Sequence, residues 1–233
     1  MEIQPIAYIH NAFSDKFGIP RQSGRSESIV SEIVFEPDFR APEALREIEN
    51  FDYLWLIFGF SEAVYSGFSP TVRPPRLGGN RRVGVFASRS PYRPNSLGLS
   101  SVKLISVEKT ADRGTVLKVG GADLLDGTPI YDIKPYLPFS DSHPGSACGY
   151  AGENRDHRLS VEDPEELLQL LPADLRETAV ECLSDDPRPS YIDDPARAFG
   201  MTLGGYNIIF SVTKQILTVL TVEEAEKDEK HNQ

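Results

Sequence analysis

Between Ser69 and Lys103 the chain carries seven cations, Arg73, Arg76, Arg81, Arg82, Arg89, Arg93 and Lys103, and no carboxylate occurs between Glu62 and Glu108. The whole 233-residue chain is formally −11 at pH 7. A basic island in an acidic chain marks a local site for anions, because clustered Arg focuses the field and offers a planar fork to phosphate or carboxylate. Its backbone is stiff. Pro70, Pro74 and Pro75 exclude a helix, Gly78-Gly79-Asn80 reads as a turn, and Val83 to Ala87 reads as a short buried strand. Ser90-Pro91-Tyr92-Arg93-Pro94-Asn95 forms a second rigid turn. Arginines on stiff loops lose little entropy when they grip a ligand.

Three further stretches carry polar side chains on loops: Pro20 to Gly24, Asp126-Gly127-Thr128-Pro129, and Asp185-Asp186-Pro187-Arg188-Pro189-Ser190-Tyr191. Lys134-Pro135-Tyr136 adds a cation and an aromatic face. No Walker A pattern and no G-x-G-x-x-G after a strand occurs, so the standard nucleotide-binding modes lack support. No G-x-S-x-G elbow supports a serine hydrolase. His10, His143, His157, Cys148 and Cys182 lack metal-ligand spacing, and no metal site is expected.

The elements that position these loops read mostly as strands. Pro5 to His10, Ser28 to Phe35, Phe51 to Phe60, Val83 to Ala87, Leu97 to Val107, Thr115 to Val119 and Ile130 to Tyr136 are apolar or β-branched. The run Phe51 to Phe60 (FDYLWLIFGF) is the best candidate for a central strand. Only Pro42 to Ile48 reads as a short helix among them. Without crossover helices, such strands imply an antiparallel sheet that closes on itself. The expected fold is mainly β (α+β), a single antiparallel β-barrel core over residues 1–139. A linker at 140–160 then leads into a smaller C-terminal α+β subdomain, the two together covering 140–233. Within that subdomain Pro164 to Leu183 reads as helical with a break at Pro172, and Tyr206 to Val212 with Ile216 to Val222 reads as a hairpin. The tail from Glu223 is expected to fray.

Composition sets outer limits. Hydrophobic residues make up 39%, enough for an ordinary globular core. The N-terminus has no basic n-region and the longest apolar run is Leu54 to Phe60, so the expectation is a cytoplasmic protein without a membrane span. An acidic total argues against indiscriminate polyanion binding, and any nucleic-acid contact must be confined to a patch.

Several long motifs make the chain resemble the TrmO (YaeB, TsaA-like) family. They are Thr71 to Asn80, Gly84 to Ser90, Arg93-Pro94-Asn95, Leu125 to Pro129, Asp132 to Pro138, Pro20-Arg21-Gln22, and Asp186-Pro187-Arg188-Pro189-Ser190-Tyr191. The resemblance spans about residues 5 to 220. It implies an S-adenosylmethionine-dependent tRNA methyltransferase on a β-barrel, acting on N6 of N6-threonylcarbamoyladenosine at position 37 in the anticodon loop, and a homodimer. It places S-adenosylmethionine against Pro20, Arg21, Gln22, Ser61, Glu62, Arg89, the Leu97 to Leu99 region (Leu99 above all), Asp126, Gly127, Thr128 and Pro129. Ser61-Glu62 departs from the family, which usually has a His and a polar residue there. Arg73, Arg76, Arg81, Arg82, Arg93, Asn95, Lys134, Tyr136 and Arg188 are expected to face tRNA. No catalytic base is identified by sequence; Asp132 and Tyr136 are nominees. Two other readings stay open: a non-catalytic RNA-binding β-barrel, and a small-molecule methyltransferase.

Overall fold

The computed structural model describes residues 2–60, 68–74, 81–154, 156–188 and 194–225. Ser61, Glu62, Arg76, the Gly78-Gly79-Asn80 turn, Pro189-Ser190-Tyr191 and the end of the charged tail lie outside the described residues.

The first strands are β1 (Ala7–His10), β2 (Val30–Phe35) and β3 (Tyr53–Gly59). Two short strands follow, β4 (Thr71–Val72) and β5 (Val83–Gly84). Then come β6 (Leu97–Thr110), β7 (Gly114–Gly120) and β8 (Pro129–Pro135). Six of these close an antiparallel ring in the order β1-β2-β7-β6-β3-β8, with β8 returning to β1 through Ala7↔Ile130 and Tyr8↔Pro129. β3 pairs with β6 and β8; in the closed ring every strand has two neighbours, so its apolar run does not make it the central one. Its Leu54, Leu56 and Phe58 point into the ring beside Ile9, Ile33, Leu117 and Ile130. Trp55 points outward, where Tyr136 packs on it with ring centroids 5.6 Å apart. Burial along β3 alternates between the buried Leu54, Leu56 and Phe58 and the less buried Tyr53, Trp55 and Ile57, although all six are apolar or aromatic. Truncating Leu56, which is fully buried, would cost about 2–5 kcal/mol.

The C-terminal part begins with α1 (Pro138–Asp141) and continues through β9 (Ser160–Glu162), α2 (Ala173–Ser184), β10 (Ala198–Leu203), β11 (Tyr206–Thr213) and β12 (Ile216–Glu224). The last three strands and β9 form a second sheet, β10-β11-β12-β9, with β9 parallel to β12. Pro172 caps α2 instead of interrupting a longer helix, because its ring fits a helix start and not a helix interior. The expected helix at Pro42 to Ile48 is two 3-10 turns, Pro42–Leu45 and Ile48–Asn50, separated where Glu47 takes a left-handed φ of 67°. Val83 to Ala87 is only partly a strand: after Gly84 the chain coils into a 3-10 turn.

The long segment between β1 and β2 is not a free loop. Phe13, fully buried, sits in the second core with Leu171, Leu183, Met201 and Phe210. Gly18 passes over Met201 at φ 102°, and a Cβ there would overlap the Met201 side chain. Polar contacts fix the rest of the segment to α2. The Ser26 and Ser28 hydroxyls donate to Glu181 Oε2 at 2.5 and 2.7 Å, and Arg25 Nε pairs with Asp185. Burial alone would raise the Glu181 pKa, but these donors outweigh it and hold the carboxyl below its usual range. The consequence for function is direct: the 20–24 loop is carried on a strap tied to the C-terminal subdomain.

Candidate functional site

Four segments meet at one end of the barrel. The 20–24 loop is joined to the loop after β7 by a hydrogen bond from Gly24 N to Gly121 O, 2.9 Å. It is joined to the basic island by Arg89 Nη1, which donates to Gln22 Oε1 at 2.5 Å. Gln22 Nε2 in turn donates to the Arg21 carbonyl at 2.6 Å, and the preceding Pro20 is buried. Strand β6 joins through Ser100, whose hydroxyl donates to Asp123 Oδ1 at 2.6 Å. Beside Ser100, Leu99 projects outward and is 53% exposed. Gly98 precedes it for a packing reason: a Cβ there would overlap the Phe58 ring.

Asp123 is the hinge of this arrangement. Burial pushes its carboxyl pKa up, against the opposing pull of the Ser100 hydroxyl, the Ser23 backbone N–H and the nearby charge of Arg89. A carboxyl perturbed in this way within a polar cluster makes Asp123 a candidate functional residue. Sequence reasoning passed over Asp123, Ser100 and Ser23. The available signal was Gly120-Gly121-Ala122-Asp123, a small-residue run that ends a buried strand on a carboxylate.

Further along the same loop, Asp126 Oδ1 accepts the Asn11 backbone N–H at 3.1 Å and lies 3.3 Å from His10 Nδ1. Gly127 N donates to Ile9 O, and the buried Thr128 hydroxyl donates to Leu125 O at 2.7 Å. Asn11 Nδ2 donates to Leu124 O at 2.9 Å. Asp126 and Thr128 thus shape the loop where β1 ends and β8 begins at Pro129, and Gly127 turns it at φ 72°. His10 and Asn11 are site residues the sequence did not signal.

The cations expected to face nucleic acid divide into two groups. Arg73, Arg81 and Arg82 are exposed, as is Asn95. Arg81 pairs with the equally exposed Glu153 at 3.1 Å, and Arg82 Nη1 donates to Thr71 Oγ1 at 3.0 Å. Lys134, exposed on β8, pairs with Asp132 at 3.2 Å. The other group serves the fold. Arg93 Nη1 donates to the Ser88 carbonyl at 3.1 Å, closing its own turn. Arg188 forks onto Asp186 at 2.8 and 3.0 Å, with its side chain only 11% exposed. Asp186 also receives His157 Nε2 at 3.1 Å. Burial would raise the Asp186 pKa, yet Arg188 and His157 together hold it below the usual carboxylate range. Tyr136 packs edge-on to Tyr53 and tilted on Trp55, on the outer face where Trp55 lies opposite Lys134. Arg21, Gln22 and Arg89 are therefore brought together; Lys134 and Tyr136 belong to a separate outer face of the barrel.

Residues 8–142 match the N-terminal domain of tRNA-methyltransferase O, and residues 159–225 match the TrmO C-terminal domain. The chain belongs to the TrmO family. A curated relative, the tRNA (adenine(37)-N6)-methyltransferase of Escherichia coli K12, is 37% identical over 230 residues, 95% of this chain and 97% of its own. The enzyme of the same name from Eikenella corrodens is 43% identical over 174 residues, 74% of this chain and 97% of its own. A crystal structure of TrmO from Pseudomonas aeruginosa superposes with a TM-score of 0.78 at 32% identity, covering 97% of each chain. The family match falls on both the barrel and the second sheet. The Asp123 cluster lies within the part matched to the N-terminal domain, and the Asp186–Arg188 pair within the part matched to the C-terminal domain.

Proposed function

We propose that this chain transfers a methyl group from S-adenosylmethionine to N6 of N6-threonylcarbamoyladenosine at position 37 of tRNA. The observation that carries the reading is the cluster of Gln22, Arg89, Ser100 and Asp123, four polar side chains from four separate segments. That donor set suits S-adenosylmethionine, with carboxylate and Arg available for its charged end. Pro20, Arg21, Gln22, Arg89, Leu99, Asp123 and the Asp126 to Pro129 loop would hold it. When bound, the cofactor supplies a methyl group on a sulfonium that loses its charge as the methyl leaves.

The residues of the chain contribute alignment first. An in-line displacement needs both partners fixed, and positioning alone can supply roughly 7–11 kcal/mol of barrier reduction. The loops that do this are cross-braced by hydrogen bonds at 2.5 to 2.9 Å between segments far apart in sequence. A base in the anticodon loop is already single-stranded, so extruding it costs less than flipping from a duplex. The exposed Arg73, Arg81 and Arg82 are suited to phosphates of that loop and Lys134 to a phosphate on the outer face. The threonyl carboxylate of the modified base also requires a cation, and Arg fork geometry favours Arg81 or Arg82. The acylated N6–H is more acidic than that of plain adenine, which eases loss of the proton. A homodimer in the cytoplasm completes the proposal; the stacked, exposed pair Phe68 and Phe86, 6.4 Å between centroids, offers apolar area for a contact between copies.

The test is a methylation assay on two tRNAs that differ only in the threonylcarbamoyl group, read by mass spectrometry of nucleosides. Transfer is expected to the modified tRNA alone. Equal transfer to both would remove the substrate assignment, and transfer to neither, with tRNA still bound, would favour an RNA-binding barrel.

A further inference from the structure

Between Glu62 and Glu108 the described residues include three aromatic side chains, Phe68, Phe86 and Tyr92, all exposed. Phe68 and Phe86 stack on each other. Tyr92 is different. It is 52% exposed, and among the described residues its ring meets no other ring and its hydroxyl has no hydrogen-bond partner. The backbone beneath it is fixed. Tyr92 N donates to Ser90 Oγ at 3.2 Å, Arg93 N to Pro91 O at 2.9 Å and Ser96 N to Arg93 O at 3.1 Å. Arg93 Nη1 closes the turn on the Ser88 carbonyl, and Pro91 and Pro94 fix φ on either side of Tyr92-Arg93. A ring with two rotatable bonds on such a turn loses little entropy when it is covered. Left open, it gains from a flat partner laid against its face.

We infer that Tyr92 is a stacking platform for one unpaired base of the RNA loop that enters the site. The inference rests on the tRNA reading above and adds to it a contact that holds a base by its face. RNA is the occupant for three reasons. The turn carries Arg89 and Arg93 within the acid-free window, so no carboxylate of its own segment repels the phosphates on either side of a stacked base. Tyr92 is three residues from Arg89, at most about 11 Å along an extended chain, and Arg89 is tied to Gln22 in the polar cluster at the end of the barrel. Extruding a base for reaction also removes a stacking partner from its neighbours, which an aromatic side chain close to the site replaces. Stacking needs only a π-face, so Tyr92 contributes affinity and register without reading the identity of the base. Tyr136, the other aromatic expected to face RNA, is less free because its ring already packs on Tyr53 and Trp55.

The test is filter binding of an anticodon stem-loop RNA carrying N6-threonylcarbamoyladenosine to the full chain at several salt concentrations, with Tyr92→Phe, Tyr92→Leu and Tyr92→Ala. Phe keeps the π-face and is expected to bind within twofold of wild type. Ala and Leu are expected to weaken binding by about fivefold or more, the lower end of what a lost base–aromatic stack costs. All three should keep the wild-type salt slope, because none changes a charge. Calorimetry should find S-adenosylmethionine affinity within twofold in every variant, and circular dichroism melting checks that each is folded. Wild-type affinity in Tyr92→Ala or Tyr92→Leu, loss of binding in Tyr92→Phe, or a changed salt slope would overturn the platform. So would a lower oligomeric state of Tyr92→Ala by light scattering, which would seat a second copy on the ring. Each of those results leaves the tRNA reading intact as long as wild type binds the stem-loop. If wild type does not bind it, the tRNA reading fails and the platform falls with it.

Discussion

Arg21 and Arg188, 167 positions apart in sequence, are joined by a hydrogen bond from Arg21 Nη2 to the Arg188 carbonyl at 2.7 Å. Arg188 is itself pinned by its fork onto Asp186, and Asp186 by His157. The C-terminal subdomain thereby braces the loop that presents Gln22 to Arg89. This brace costs backbone freedom at Asp186, which adopts φ 55°.

Asp186→Asn should therefore weaken S-adenosylmethionine binding several-fold although Asp186 touches no ligand in the proposed site. It should also destabilise the fold by about 1–3 kcal/mol, the usual range for losing hydrogen bonds to a charged group. The sign with pH follows from the depressed pKa. The stabilisation is present above the ordinary Asp value of 3.8 and is lost as pH falls through the lower folded value. Melting curves of wild type and variant should converge in acid and separate toward neutrality. A constant gap across that range would show that the carboxylate charge is irrelevant there.

Asp123 behaves in the opposite sense. Its folded pKa is raised, so the folded state binds the proton more tightly and a penalty grows as pH rises through 3.8 toward the folded value. Asp123→Asn removes that penalty. The unliganded variant should melt higher than wild type at neutral pH, by about 2–4 °C for each kcal/mol relieved, and match it in strong acid. With saturating S-adenosylmethionine the order should reverse, since wild type gains more from the ligand. A variant that melts lower than unliganded wild type at neutral pH would assign Asp123 a purely structural role.

Which parts of this were legible in sequence follows from the physics of each part. The mostly-β reading came from local apolar patterning, which also makes FDYLWLIFGF a strand; in the closed ring every strand has two partners, so β3 is no more central than the others. The hairpin of β11 and β12 carried its own turn signal at Thr213-Lys214-Gln215. β9 is not legible because a three-residue strand owes its state to tertiary pairing, here with the parallel edge of β12. The arginines illustrate the same limit. Arg82 and Arg93 are equivalent in composition, yet one is exposed and the other closes its own turn through Ser88. Asp123 was invisible because its character comes from Ser100, Ser23 and Arg89, which only folding brings to it. Arg188 read as a free cation because its partner, Asp186, was only two residues away and seemed part of a turn.

The two cysteines provide a test of the burial pattern that is independent of function. Cys182 is 1% exposed on α2, and burial pushes its thiol up to about 12, whereas Cys148 is exposed. The thiolate is the reacting species, so alkylation of the native chain should label Cys148 alone. Intact mass should show one adduct under native conditions and two in denaturant. A second adduct appearing at the same rate under native conditions would mean that α2 opens readily from the second core.

The last prediction separates arginines that face solvent from those that hold the fold. Arg82 is exposed, and its side-chain hydrogen bond is to the neutral Thr71 Oγ1 at 3.0 Å, so its charge is available to a polyanion. Arg82→Glu should lower tRNA affinity and flatten its dependence on salt, because each single-strand phosphate contact contributes a slope of about −0.7 in log affinity against log salt. Cofactor affinity should stay within twofold, since no hydrogen bond ties Arg82 to Gln22, Arg89 or Asp123 among the described residues. Arg93→Gln should act differently. It frees the Ser88 carbonyl next to Arg89, so it should weaken S-adenosylmethionine as well as tRNA, with a smaller change in salt slope. Filter binding of tRNA between 50 and 200 mM salt (a range of about fourfold over which several contacts change affinity measurably), paired with calorimetry of the cofactor, reads both effects. If Arg82→Glu leaves the slope unchanged, the basic island does not reach phosphate at that position. If Arg93→Gln alters the slope as much as Arg82→Glu and spares the cofactor, the division between the two arginines is wrong.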